Sequence, residues 1–390
     1  MNIKKILTVG MLVCCCFAIF LGAAPSKAVF AADVNLAGKS AYLMDYNSGE
    51  VLFSKNENDK LPVASIVKLM TILLTLENLD SGKLNLEDVV VASHNAAGMG
   101  GSQVFIDEGG SYTIGDMLKS AIVSSANDAS VVLAETIAGS ESAFVDLMNK
   151  RAEELGLSGT HYTNCTGLPA ANQFSTAKDV AKLLKEVTKH DTYHKYSTIW
   201  IDKLMHKEGR ESELVNTNKL IRYFNGCDGG KTGSTTEAGY CLAATAKRGD
   251  LRLVGVVLGA ANGKDRFAQT SDLLNYGFAN FTNKKVVNSA DEITNEIKVL
   301  SGKAKSVKVA SREDIYLLTK KGEDKGYTVK TEMPGSIKAP VKQGDTAGKI
   351  YVIKNDIVVA EQDIVCLTDI NKATIADNIM NAIENWSIAR

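Results

Sequence analysis

The stretch Pro62-Val63-Ala64-Ser65-Ile66-Val67-Lys68-Leu69-Met70-Thr71 decides how the chain is read. From Ile66 to Leu76 the only polar residues are Lys68, Thr71 and Thr75, a composition that suits a helix buried inside a domain. Ser65 then stands at the start of that helix with Lys68 one turn on. Positions i and i+3 share a helix face, so the spacing predicts an amine beside a hydroxyl, next to the partial positive charge of a helix N-terminus. A serine hydroxyl is a weak nucleophile until a neighbouring base holds its proton. A lysine serves as that base only where burial or nearby positive charge lowers its pKa. An isolated S-x-x-K has a commoner meaning, a capping serine and a lysine that snorkels to the surface.

Upstream, Ser40 to Asp45 and Glu50 to Ser54 are β-prone runs around Tyr46-Asn47-Ser48-Gly49, which predicts a hairpin leading into Ser65. Downstream, Asp80-Ser81-Gly82 stops the central helix, and Asn95 to Ser102, rich in Gly and Ala, reads as a loop. Residues 113–138 are helical in pattern except at Ser124-Ser125-Ala126-Asn127-Asp128. Such a polar cluster between apolar runs is costly to bury without partners, so it is expected to line a cleft, or else to be a capped helix-to-helix connection. Further helices are expected over 141–156 and 176–189, then a less regular stretch to Asn216.

Asp228-Gly229-Gly230-Lys231-Thr232-Gly233-Ser234 precedes two strand-like runs, Gly239 to Ala246 and Arg252 to Gly259, joined by the hairpin turn Lys247 to Asp250. Lys231-Thr232-Gly233 is therefore placed on or just before a strand, where its glycines let another backbone or a peptide-like ligand approach. A helix from Lys264 to Phe278 closes this part. From about 285 to 368 the sequence turns to short β-prone runs with polar turns, read as a smaller all-β domain. Over 371–390, Ile375, Ile379, Ile383 and Trp386 share one side of a candidate amphipathic helix. It suits a membrane interface or docking on its own protein.

Length and composition agree with two globular domains: 390 residues, 45% apolar and 23% charged, with a formal charge of −1. No long basic patch is present, which argues against nucleic acid as a partner. Lys4 and Lys5 precede an apolar run from Ile6 to Ala24, followed by small residues to Ala31 and Ala32. Residues 1–31 thus have the form of a secretory signal peptide, the alternative being an uncleaved anchor, since the run approaches the ~20 residues that span a bilayer. Cleavage removes Lys4, Lys5 and Lys27 and no acid, taking the formal charge from −1 to −4. Of seven cysteines, Cys165, Cys227, Cys241 and Cys366 remain after it, with no C-x-x-C pair to suggest zinc or redox work, and their pairing is not readable.

Taken together, Ser65-x-x-Lys68, Ser125-x-Asn127 and Lys231-Thr232-Gly233 form the ordered triplet of penicillin-recognising serine enzymes. Within that superfamily the chain resembles the serine-type D-alanyl-D-alanine carboxypeptidases, the low-molecular-mass penicillin-binding proteins. The resemblance covers most of residues 38–282, including Met99 to Gln103, Gly167-Leu168-Pro169, Ser175-Thr176-Ala177, Asn216 to Leu220 and Ala238-Gly239-Tyr240. It implies an α/β (α+β) β-lactamase/transpeptidase-like catalytic domain with an antiparallel sheet over 32–282, a β-rich domain over 285–368 and an amphipathic C-terminal anchor at 371–390. It implies an extracytoplasmic enzyme that trims terminal D-alanine from peptidoglycan pentapeptides and is inhibited by β-lactams. No cofactor or metal is implied.

The resemblance also implies roles. Ser65 attacks the peptide carbonyl while Lys68 takes its proton, and Ser125 with Lys231 relays the proton to the departing D-alanine. Asn127 holds the substrate backbone. The N–H groups of Ser65 and Ser234 meet the oxyanion. Lys231 and Thr232, next to Gly233, bind the terminal carboxylate together with Arg266, whose planar fork suits that task. The chain departs from relatives at Asn164-Cys165-Thr166-Gly167-Leu168, where proline is common, and at Gln173-Phe174, where many carry histidine; altered loop rigidity is expected there. Two other classes compete. A β-lactamase shares the motifs but needs a deacylating glutamate with an asparagine four residues on, and Glu153 and Glu154 have Leu157 and Ser158 there. A non-catalytic β-lactam-sensing or wall-binding protein would not require Ser65, Lys68, Ser125 and Lys231 together.

Overall fold

The structure, a computed structural model, describes residues 36–293, 296–323, 326–377 and 379. The expected leader and most of the expected C-terminal helix lie outside the described residues. A central antiparallel sheet organises the first part of the chain. Its strands β1 (Ser40–Asp45) and β2 (Val51–Lys55) form the expected hairpin. A 3-10 turn (Ala64–Val67) leads into α1 (Lys68–Asp80), then come the short strands β3 (Val89–Val91) and β4 (Ser111–Thr113). Helices α2 (Ile114–Val123), α3 (Asn127–Ala138), α4 (Glu141–Glu154) and α5 (Ala177–Val187) follow. Next are β5 (Ile201–Met205), β6 (Glu211–Val215), β7 (Cys227–Thr235), β8 (Gly239–Arg248), β9 (Leu251–Ala260) and α6 (Gly263–Asn280).

The sheet runs β2-β1-β9-β8-β7, so the first hairpin joins the last through β1 and β9. Strand alternation explains its burial on both faces. On β1, Tyr42 and Met44 join a core with α1, α2 and α3, whereas Ala41 and Leu43 join a second core with Leu273, Leu274 and Phe278 of α6. The chain thus makes a helix, sheet and helix sandwich with β2 at one edge of the sheet and β7 at the other. The β7 edge carries Lys231-Thr232-Gly233.

The stretch before Asn216, expected to be irregular, contains the hairpin β5/β6. Only Leu204 and Leu214 of its two strands are buried, so its apolar alternation is too sparse to register in the sequence. Helix α6 runs to Asn280, two residues past the expected end, and β10 (Phe281–Val287) starts at once. In the C-terminal part, among the described residues, 297–366 hold strands and no helix: β11 (Ile297–Leu300), β12 (Ser306–Val307), β13 (Val309–Ser311), β14 (Ile315–Lys320), β15 (Tyr327–Glu332), β16 (Ser336–Lys338), β17 (Thr346–Lys354) and β18 (Ile357–Cys366). Val299, Val309, Ile350, Val352 and Ile364 are among its core residues. It is tied to the first part by Asn283 Nδ2, which donates to the buried Asp45 carboxylate at 3.1 Å. Beyond β18, Ile375 and Ile379 are solvent-exposed. No helix among the described residues is long and apolar enough to cross a membrane.

Candidate active site

Three separate segments converge at the start of α1. Ala64 holds a left-handed backbone (φ 50°), which turns the chain so that Ser65 sits in the 3-10 turn and Lys68 opens the α-helix. The Lys68 side chain is fully buried. Its Nζ lies 3.0 Å from Ser65 Oγ and donates to the carbonyl oxygen of Thr166. One turn further, Thr71 Oγ1 donates to the Cys165 carbonyl at 2.7 Å, so α1 is stitched to the 163–168 loop at two levels.

That loop is knit by the side chains of Asn164 and Gln173. Gln173 Oε1 accepts from the N–H groups of Thr163 and Asn164 at 3.0 and 3.1 Å, and its Nε2 donates to the Leu168 carbonyl at 3.0 Å. Asn164 Oδ1 accepts from Gly167 N–H at 2.7 Å. Gly167 is at φ 82°, and a Cβ there would stand 2.1 Å from the Ala64 carbonyl. Only glycine lets the loop lie against the serine turn.

The polar cluster between α2 and α3 is the second segment. Ser125, buried and left-handed (φ 61°), is presented by the turn between the two helices. Left-handed backbone at non-glycine residues persists only where the surroundings impose it, and here it occurs beside Ser65 and at Ser125. Asn127 N–H donates to Ser102 O at 2.7 Å and its Nδ2 to Gly100 O at 2.6 Å, leaving Oδ1 buried and unpartnered. Asp128 accepts from the N–H groups of Val104 and Ile106, which locks the 100–106 loop onto α3.

The third segment is β7. Lys231 is buried and its Nζ donates to Ser125 Oγ at 2.6 Å. Gly233 backs onto the serine turn so closely that a Cβ would be 2.5 Å from Val63 O and 3.1 Å from Ser65 N. Thr232 is buried and Ser234 exposed on either side of it. Asn262 caps α6 by accepting from Lys264 and Asp265 N–H, which sets Arg266 in the first turn. Arg266 Nη1 donates to Gly233 O at 3.1 Å, and its guanidinium lies over Tyr240 and Phe267 with Nε buried and unpartnered. The structure thus brings Lys68 to Ser65, Lys231 to Ser125, and Gly233 to both the serine turn and Arg266.

The cleft gathers three basic side chains, Lys68, Lys231 and Arg266. Burial brings the Lys68 ammonium down to about 7, against the opposing pull of the Cys165 thiol and the Asp128 carboxyl. Lys231 is held well below the ordinary lysine range by burial, and then by repulsion from Lys68 and Arg266. Burial lowers Arg266 too, and no carboxylate forms an ion pair with any of the three among the described residues. An amine free of its proton near neutrality can accept one, and cations short of partners suit an anionic ligand.

Sequence reasoning missed the Thr166 carbonyl that fixes Lys68 and the Gln173 amide that holds the loop. A main-chain acceptor leaves no residue signature, and Gln173 stood out only as a departure. The four cysteines carry free thiols and are buried, Cys165 among them directly behind Lys68.

An antiparallel sheet flanked by helices, with S-x-x-K, S-x-N and K-T-G in one cleft, defines a penicillin-recognising serine enzyme. The sequence profile described as D-alanyl-D-alanine carboxypeptidase matches residues 26–262, and that of the penicillin-binding protein 5 C-terminal domain matches 281–372. The chain is 40% identical over 350 residues to D-alanyl-D-alanine carboxypeptidase DacF of Bacillus subtilis, covering 90% of each. It superposes on penicillin binding protein 5 from Haemophilus influenzae with a TM-score of 0.71 and 30% identity, over 87% of this chain and 98% of that one. Penicillin-binding protein D2 from Listeria monocytogenes, solved in its ampicillin-bound form, gives 0.57 and 29% over 63% and 99%. The chain belongs to the D-alanyl-D-alanine carboxypeptidase family and is a serine-type peptidase.

Proposed function

We propose that the chain removes the terminal D-alanine from peptidoglycan stem peptides through an acyl-enzyme on Ser65. The observation that carries this reading is Lys68 Nζ, buried, held near neutrality and 3.0 Å from Ser65 Oγ. Lys68 takes the Ser65 proton as Oγ adds to the carbonyl of the penultimate residue. The oxyanion is met by the N–H groups of Ser65 and Ser234, fixed dipoles where charge develops. The C–N bond then breaks, and the proton that Lys68 took from Ser65 passes by way of Lys231 and Ser125 to the leaving D-alanine amine, which leaves Lys68 uncharged again. Water, deprotonated by the uncharged Lys68, adds to the ester, and that proton passes to Ser65 Oγ as its bond to the acyl carbon breaks, which frees the serine.

Lys231 on β7 and Arg266, whose Nη1 reaches Gly233 O, favour a substrate that ends in a carboxylate. In this reading Lys231, Thr232 and Arg266 bind it, while Gly233 lets β7 lie against the serine turn so that a substrate backbone along the strand passes Ser65. Asn127 Oδ1, buried without a partner, is an acceptor for a substrate N–H. Penicillins acylate the same hydroxyl, as the ampicillin-bound relative supports. Residues 32–282 carry the chemistry, 285–368 the β-rich appendage, and the protein acts outside the cytoplasmic membrane after loss of 1–31. The exposed Ile375 and Ile379 begin an apolar stripe suited to peripheral membrane contact.

Glu153 and Glu154 lie exposed at the end of α4, the latter paired with Arg151 at 2.9 Å, which favours a slowly hydrolysed penicilloyl ester over β-lactamase turnover. The test is to incubate the purified chain with a diacylated D-alanyl-D-alanine peptide and, separately, with penicillin. D-alanine release with slow penicillin hydrolysis is expected. Fast penicillin turnover without D-alanine release would overturn the reading.

A further inference from the structure

We infer that the cleft contains a subsite for a cationic side chain on the acyl half of the substrate, with Glu237 as its counter-ion. The inference rests on the carboxypeptidase reading and names the substrate class within it. A cavity of about 420 Å³ adjoins the serine turn, walled by Pro62, Val63, Leu168 and Pro169. Among the described residues, Glu237 is its only charged lining residue. Gln173, also on the wall, has its amide engaged with the 163–168 loop and offers little to a ligand.

Direction along β7 decides which half of the substrate reaches this cavity. Gly233 lies against Ser65, so the strand passes the nucleophile at that residue. Lys231, Thr232 and the Ser125 contact lie on one side of it along the strand, the side assigned to the leaving D-alanine. Thr235 and Glu237 lie on the other side, which is left for the acyl half. Glu237 stands in the turn between β7 and β8, and that turn is fixed by Thr235 Oγ1, which accepts from Ala238 N–H at 3.1 Å. Its carboxylate forms no hydrogen bond or ion pair among the described residues.

A largely apolar lining with one solvent-exposed carboxylate matches a side chain that is a hydrocarbon stem ending in an ammonium. On a stem peptide, that is the third-residue diamino acid with its distal amine free. A stem whose amine is already amidated in a cross-link lacks the charge, so the subsite selects uncross-linked strands.

The test uses the full chain with two peptides, Nα-acetyl-L-lysyl-D-alanyl-D-alanine and the same peptide acetylated on the lysine ε-amine. In the unmodified enzyme the free-amine peptide is expected to have a kcat/KM about fivefold higher, the effect of a partly exposed ion pair. In Glu237→Gln that ratio falls to about one, and in Glu237→Lys below it. A ratio between two substrates is insensitive to any loss of folded enzyme. Equal kcat/KM for both peptides in the unmodified enzyme, or a ratio unchanged in Glu237→Gln, would overturn the subsite alone. Release of D-alanine from neither peptide would overturn both the subsite and the reading beneath it.

Discussion

Lys231 Nζ lies 2.6 Å from Ser125 Oγ, a contact that joins residues 106 apart in sequence and closes the cleft above Ser65. Both groups are buried, and among the described residues the other acceptor for Lys231 Nζ is the Thr232 carbonyl at 3.2 Å. If the pair passes a proton to the leaving amine, Ser125→Ala removes the last link. We expect kcat for D-alanine release to fall about 10²- to 10⁴-fold with a much smaller change in KM. A fall confined to KM would assign Ser125 to binding.

Lys68 predicts a pH dependence. Its amine accepts a proton only when uncharged, so acylation of Ser65 by penicillin should rise with pH through about 7 and level off above it. The same group sets a stability trend. In the unfolded chain a lysine keeps its proton to about 10.4, whereas in the fold burial releases it near 7, so the unfolded state binds more protons between these limits. Stability therefore rises with pH across that window, and the cost of burying the charge is full below it. Lys68→Met should abolish acylation yet raise the unfolding midpoint at pH 6, with the gain fading toward pH 10. Thermal melts of both proteins at the two pH values check the sign, and a larger gain at the alkaline end would contradict it.

How much of this was legible in the sequence follows from where the information resides. Ser65 and Lys68 share one helical turn, so their proximity is local and readable. The hairpins around Asn47 and Gly249 declare themselves through turn residues. The joining of Ser125 and Lys231 was legible only because three weak motifs occur in a known order, since neither residue type alone marks a contact. Thr166 was invisible, because Lys68 uses its main-chain carbonyl. Strands β5 and β6 were missed because a surface hairpin with one buried leucine on each strand lacks the alternation that betrays a strand. The parallel pairing of β11 with β16 depends on long-range register, which no local pattern carries.

Gly233 predicts a separable structural effect. A methyl group there meets Val63 O at 2.5 Å and must push β7 away from the serine turn. Gly233→Ala should cost about 1–3 kcal/mol of stability by overpacking, and a displacement approaching 1 Å would slow acylation about a hundredfold. Thermal unfolding and the rate of labelling by a fluorescent penicillin measure the two effects. Unimpaired labelling would show that the strand need not touch the turn.

The central claim is that the Ser65 hydroxyl is the nucleophile. Intact-mass spectrometry of the protein after brief exposure to penicillin, compared with Ser65→Ala, tests it most directly. The account predicts one penicilloyl adduct per chain, mapped to the peptide containing Ser65, and none in Ser65→Ala, whose thermal unfolding remains cooperative. An adduct on the folded Ser65→Ala protein, or one mapped to another residue in the unmodified chain, would contradict it.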